Sequence, residues 1–96
     1  MRRVVITGMG IYSCIGKNLS EVKESLYNGK SGIVSDEARK EFGYRSSLTG
    51  MVDEPNLKGL LTRRERISMG EETCYAYVAT MEALENAKLD QSYIDA

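Results

Sequence analysis

Apolar and polar positions divide the chain into a few elements. Arg3 to Gly8 (RVVITG) is a continuous apolar run with β-branched side chains, ended by glycine, and this predicts a strand buried on both faces, as parallel sheets require. Gly8-Met9-Gly10 reads as a tight turn leaving that strand. Asn18 with Glu21 has the spacing of an N-cap and capping box, which predicts a helix over roughly 19–28 with Leu19, Val22 and Leu26 on one face. Asn28-Gly29 suits a left-handed cap at its end. Residues 34–44 (VSDEARKEFGY) are polar and predict a short helix or a surface turn, and Arg45 to Val52 (RSSLTGMV) predicts a second, less apolar strand closed by the loop around Pro55.

The pattern is stronger from Thr62 onward. Thr62 with Glu65, and Ser68 with Glu71, are two successive capping-box spacings. The first predicts a short helical turn. The second predicts a long helix over about 69–87, with Met69, Thr73, Ala76, Tyr77, Met81 and Leu84 recurring at spacings of three and four. One apolar strand and a weaker one do not supply the sheet that such a helix needs to cover its face, so the 96 residues read as part of a larger α/β unit.

Composition narrows the chemistry. The formal net charge is -1, which excludes a global basic field for nucleic acid or anionic membrane. No run approaches the roughly 20 apolar residues of a membrane span, and the interrupted apolar stretch after Arg2 and Arg3 does not make a signal peptide. The expected setting is soluble and cytoplasmic. Cys14 and Cys74 lack companion histidines or acidic clusters for zinc, and the absence of histidine rules out a Cys-His or Ser-His-Asp arrangement within these residues. Cys14 reads as a small packed residue beside the first turn and Cys74 as a helix position near the core edge, both unreactive and reduced.

Two nucleotide-binding motifs are imitated and then fail. A dinucleotide fingerprint starting at Gly8 needs glycine at position 13, where Ser13 stands. Gly29-Lys30-Ser31 resembles the end of a phosphate-binding loop, but Glu24 occupies the place of its first glycine and the motif follows a helix instead of preceding one. Tyr75, Tyr77 and Met81 lie close together on the long helix, where packing in a core or subunit interface is favoured over a pocket for an acyl chain. Arg63, Arg64 and Arg66 crowd a helix start, where each positive charge costs about 0.3–1 kcal/mol against the helix dipole. Either they are a solvated face paired with Glu65, Glu71 or Glu72, or they form a docking patch for an anionic partner.

The segments RRVVITGMGIYSCIGKN, EVKESLYNGKSGI, Gly43-Tyr44-Arg45-Ser46, Gly59-Leu60-Leu61-Thr62-Arg63-Arg64 and Ala83-Leu84-Glu85-Asn86-Ala87-Lys88-Leu89, in that order, resemble the start of bacterial β-ketoacyl-(acyl carrier protein) synthases. The resemblance covers essentially the whole chain. It implies an α/β chain that is the N-terminal part of a thiolase-like layered fold, incomplete here, with residues 1–96 an N-terminal fragment of the synthase domain. It also implies a homodimer without metal or organic cofactor, acting on acyl and malonyl thioesters of acyl carrier protein in fatty acid or polyketide-type synthesis. The alternative is a non-catalytic partner subunit of the same fold, similar to a chain-length factor.

By the same resemblance the nucleophilic cysteine and two catalytic histidines lie beyond Ala96, so no catalytic residue falls in this chain and the segment alone is expected to be inactive. Arg63 and Arg64 match the basic pair that receives the acidic carrier protein. Two departures stand out. The further basic residue common in the family belongs at Ile67, whereas this chain has Arg66, and one residue on a helix turns a side chain by about 100°. Lys88 replaces the glycine that usually ends the long helix, so the left-handed cap must fall on a non-glycine residue or move to Asn86.

Overall fold

The computed structural model describes residues 2–95 and is a small mixture of helices and short strands. It divides into two compact units, one formed by Ser13–Asp53 and the other by the residues before and after that segment.

In the Ser13–Asp53 unit, Ser13 and Gly16 close a tight turn with two reciprocal backbone hydrogen bonds of 2.8 and 3.3 Å. Helix α1 (Leu19–Tyr27) follows. Its N-cap Asn18 accepts the Glu21 amide at 3.0 Å, while the Glu21 carboxylate reaches back to the Lys17 amide, also at 3.0 Å. Expected capping therefore occurs, with the returning bond one residue earlier than the standard box. Val22 is buried, but Leu26 is 69% exposed, and the third inward position is Ser25, whose hydroxyl donates to the Ile15 carbonyl at 2.5 Å. Asn28 is right-handed and Gly29 takes φ 65°, the left-handed value that glycine adopts without Cβ strain.

Strand β1 (Ile33–Ser35) and strand β2 (Leu48–Gly50) pair antiparallel, with Val34 opposite Thr49. Between them lies helix α2 (Glu37–Glu41), whose N-cap Asp36 accepts the Ala38 amide at 3.0 Å. The expected second strand thus exists in shortened form, and the region of residues 34–44 contains both the short helix and a strand that its polar composition conceals.

The other unit holds helices α3 (Arg63–Ile67), α4 (Glu71–Ala87) and α5 (Gln91–Asp95). Leu57 is buried to 4% exposure, and its carbonyl accepts the amides of Leu60 and Leu61, both at 3.0 Å, which fixes the loop before α3. The expected buried strand over Arg3 to Gly8 does not form. Those residues have no ladder, and Val4 and Ile6 are 96% and 87% exposed. A strand is a paired structure, and among the described residues no strand lies beside this segment.

The glycines that follow do not form the expected tight turn either. Gly8, Gly10 and Tyr12 lie against α4 in reverse order along it: Gly8 over Ala83 and Ala87, Gly10 over Ala79 and Ala83, and Tyr12 stacked on Tyr75 at 5.6 Å between ring centroids. The alternate residues present their amides to side chains of α4. Met9 N–H donates to Asn86 Oδ1 at 3.2 Å and Ile11 N–H to Glu82 Oε1 at 3.0 Å. Two side chains one helical turn apart thus accept from two alternate amides of residues 8–12, as a neighbouring strand would.

Helix α4 departs from its predicted face for the same reason. Thr73, Ala76 and Met81 are exposed, Tyr77 and Leu84 half-buried, and Met69 precedes the helix. The side bearing Ala79, Ala83 and Ala87 meets the glycine segment because backbone approach requires small residues. The second capping box is absent: Gly70 is the N-cap without a side-chain bond, and Ser68 ends α3, its hydroxyl donating to the Glu65 carbonyl at 2.9 Å. At the other end Lys88 is left-handed, φ 59° and ψ 37°, so the non-glycine cap falls there and not on Asn86.

Candidate functional site

Thr62 builds the start of α3. Its hydroxyl accepts the Glu65 amide at 3.2 Å and donates to Glu65 Oε1 at 2.8 Å, and its own amide donates to the same oxygen at 3.2 Å. The first expected capping box is therefore complete. The Thr62 hydroxyl and then its amide hold the Glu65 carboxyl below its ordinary range by stabilising the charged form.

Arg63 and Arg64 occupy the first two positions of this capped helix and are exposed. Among the described residues, no carboxylate lies within ion-pair distance of Arg63, Arg64 or Arg66, and the described ion pair is Lys17 with Asp53 at 3.6 Å. Pairing with Glu65, Glu71 or Glu72, the other reading of the cluster, does not occur. Glu65 instead turns back to the cap. The two guanidinium groups are exposed to solvent.

Arg66 behaves differently. It is half-buried, and its Nε has no hydrogen-bond partner and is closed to solvent. The side chain lines a cavity of about 320 Å³ together with Glu54, Asn56, Leu57, Lys58, Met69 and Cys74. Ile67, at the position where a further basic residue was sought, is 73% exposed. The one-residue offset read from the sequence thus separates an outward pair from an inward arginine.

The tyrosines of α4 do not form one pocket. Tyr75 stacks on Tyr12, and burial, reinforced by Glu71 and Glu54, raises its phenol above the ordinary value. Tyr77 and Met81 instead line an open groove of about 550 Å³ with Leu60, Leu84 and Leu89. Cys14 and Cys74 are free thiols, both half-buried. Among the described residues no group of three or more His, Cys, Asp or Glu is placed to hold a metal ion, and no helix is long and apolar enough to cross a membrane. The roles of Glu82 and Asn86 escape a search for hydrophobic periodicity. Their signal is two acceptors one turn apart beside a line of alanines.

A family model described as "Beta-ketoacyl synthase, N-terminal domain" matches residues 1–96. The chain is 46% identical over 93 residues to 3-oxoacyl-[acyl-carrier-protein] synthase 1 of Buchnera aphidicola subsp. Acyrthosiphon pisum, which is 97% of this chain and 23% of the relative. It is 39% identical over 89 residues to the protein of the same name from Escherichia coli K12, covering 93% of this chain and 22% of that one. Staphylococcus aureus COL has a 3-oxoacyl-[acyl-carrier-protein] synthase 2 that is 35% identical over 89 residues, again 93% and 22%. The chain therefore spans less than a quarter of the length of these curated relatives.

Proposed function

The chain belongs to the β-ketoacyl synthase family, within its N-terminal domain, and on that premise we propose that the whole protein is a 3-oxoacyl-(acyl carrier protein) synthase of fatty acid synthesis. The observation that carries this reading is the match along all 96 residues together with the synthase names of the relatives. The same names favour a condensing enzyme over a non-catalytic subunit similar to a chain-length factor.

In this reading residues 1–96 are the N-terminal part of a thiolase-like layered domain in a cytoplasmic homodimer. The enzyme transfers an acyl group from a carrier-protein thioester to a cysteine located outside these residues. Malonyl carrier protein then loses carbon dioxide and attacks the acyl-enzyme, releasing the 3-oxoacyl thioester. The contribution of this segment is docking. Arg63 and Arg64, solvent-exposed and without ion pairs among the described residues, present two guanidinium groups to the acidic carrier protein, and such contacts govern encounter more than chemistry.

The test is a condensation assay of the full-length protein with acyl and malonyl carrier proteins. Formation of 3-oxoacyl carrier protein is expected. Arg63→Glu with Arg64→Glu should raise KM for carrier protein about tenfold with kcat little changed, and the effect should shrink as salt is added. Absence of a 3-oxoacyl product refutes the synthase reading. An unchanged KM refutes the docking assignment alone.

A further inference from the structure

We propose that the cavity beside Arg66 is a binding site for a small oxyanion, a carboxylate or a phosphate group, separate from the outward pair Arg63 and Arg64. The walls are fixed by local structure. Leu57 is buried, its carbonyl is bonded twice, and Asn56 Oδ1 accepts the Lys58 amide at 3.2 Å, so the 56–61 turn is an ordered wall. On the α3 side the capping box of Thr62 and Glu65 fixes the helix from which Arg66 projects. Arg66 lines the cavity, and among the described residues no carboxylate lies within ion-pair distance of it.

Two cations line the cavity, Arg66 and Lys58, against one carboxylate, Glu54. The remaining polar groups are the Asn56 amide and the Cys74 thiol, with Leu57 and Met69 supplying apolar wall. A planar guanidinium offers a fork of donors that suits two oxygens of one anion, and Lys58 adds a point charge. A cation would meet two like charges there, and a purely apolar ligand would leave the excess positive charge uncompensated. With a volume of about 320 Å³, the cavity admits a small anion, or the acidic end of a longer molecule entering through its open side.

The test is equilibrium dialysis of inorganic phosphate, and separately of acetate, against the full-length protein at fixed ionic strength. Saturable binding of about one anion per chain is expected. Arg66→Lys keeps the charge but loses the fork, so it should weaken binding about tenfold or more. Glu54→Gln removes the opposing charge and should tighten it about two- to fivefold. Arg64→Ala should leave it unchanged. Tighter binding of phosphate than acetate assigns a phosphate group, and the reverse assigns a carboxylate. Binding that survives Arg66→Lys, loss of binding on Arg64→Ala, or no saturable binding overturns the proposal. Should Arg66→Lys fail to fold, Lys58→Gln reads the same site, with weaker binding expected and unchanged affinity counting against it.

Discussion

Gly10 passes so close to Ala79 that a Cβ built on residue 10 would stand 1.9 Å from the Ala79 carbonyl oxygen. That oxygen is backbone of α4 and cannot swing away as a side chain would. Gly10→Ala should therefore force the glycine segment off the helix and weaken the bonds from Met9 and Ile11. The expected cost is about 1–3 kcal/mol. Urea unfolding of the full-length protein measures it, and a neutral substitution would contradict the close packing.

The hydrogen bonds that hold the same segment give a second prediction. Ile11 N–H donates to Glu82 Oε1 at 3.0 Å, and an amide oxygen can replace a carboxylate oxygen as the acceptor. Glu82→Ala leaves the amide unmet and should cost about 1–2 kcal/mol, while Glu82→Gln should cost clearly less. Equal losses for the two variants, measured by the same unfolding experiment, would show that packing and not the hydrogen bond matters at this position.

Elements whose causes are local were legible in the sequence. Asn18 announces α1, Thr62 and Glu65 announce α3, and Gly29 ends α1 where a left-handed residue was expected, because each of these devices lies within four residues. Elements that depend on distant partners were not. Val4, Val5 and Ile6 have strand composition, but pairing requires a neighbour that composition does not supply. The inner side of α4 was misplaced because its partner is glycine backbone, which selects alanine, while periodicity analysis gives weight to Tyr77, Met81 and Leu84. In the candidate site, Arg63 and Arg64 were found as charges. The inward course of Arg66 depends on the 54–58 loop and could not be read from spacing alone.

Lys88 supplies a third prediction. It ends α4 in the left-handed region, with its amide bonded back to Glu85 and Leu84 carbonyls. A non-glycine side chain pays steric strain in that conformation that glycine avoids. Lys88→Gly should stabilise the folded protein by about 0.5–1 kcal/mol, the relief of strain exceeding the added freedom of the unfolded chain. Thermal unfolding checks the sign: a lower Tm would mean that the lysine side chain contributes more than its backbone costs.

The cap of α3 gives a prediction in pH. Glu65 in the folded protein titrates below its ordinary 4.5 because the Thr62 hydroxyl and amide both donate to its carboxylate. A carboxyl depressed by folding adds stability that is fully present above its unfolded value and is lost as pH falls through the folded one. Glu65→Gln removes the titration but leaves an amide oxygen able to accept. The difference in stability between wild type and Glu65→Gln should thus be constant above the ordinary carboxylate range and shift against the wild type as pH drops below 4.5. Chemical unfolding across that interval provides the measurement, and parallel pH profiles for the two proteins would mean that the Thr62 bonds do not favour the charged carboxylate. Thr62→Ala should narrow the difference in profile without abolishing it, since it removes the hydroxyl that is the largest cause of the depression and leaves the backbone amide.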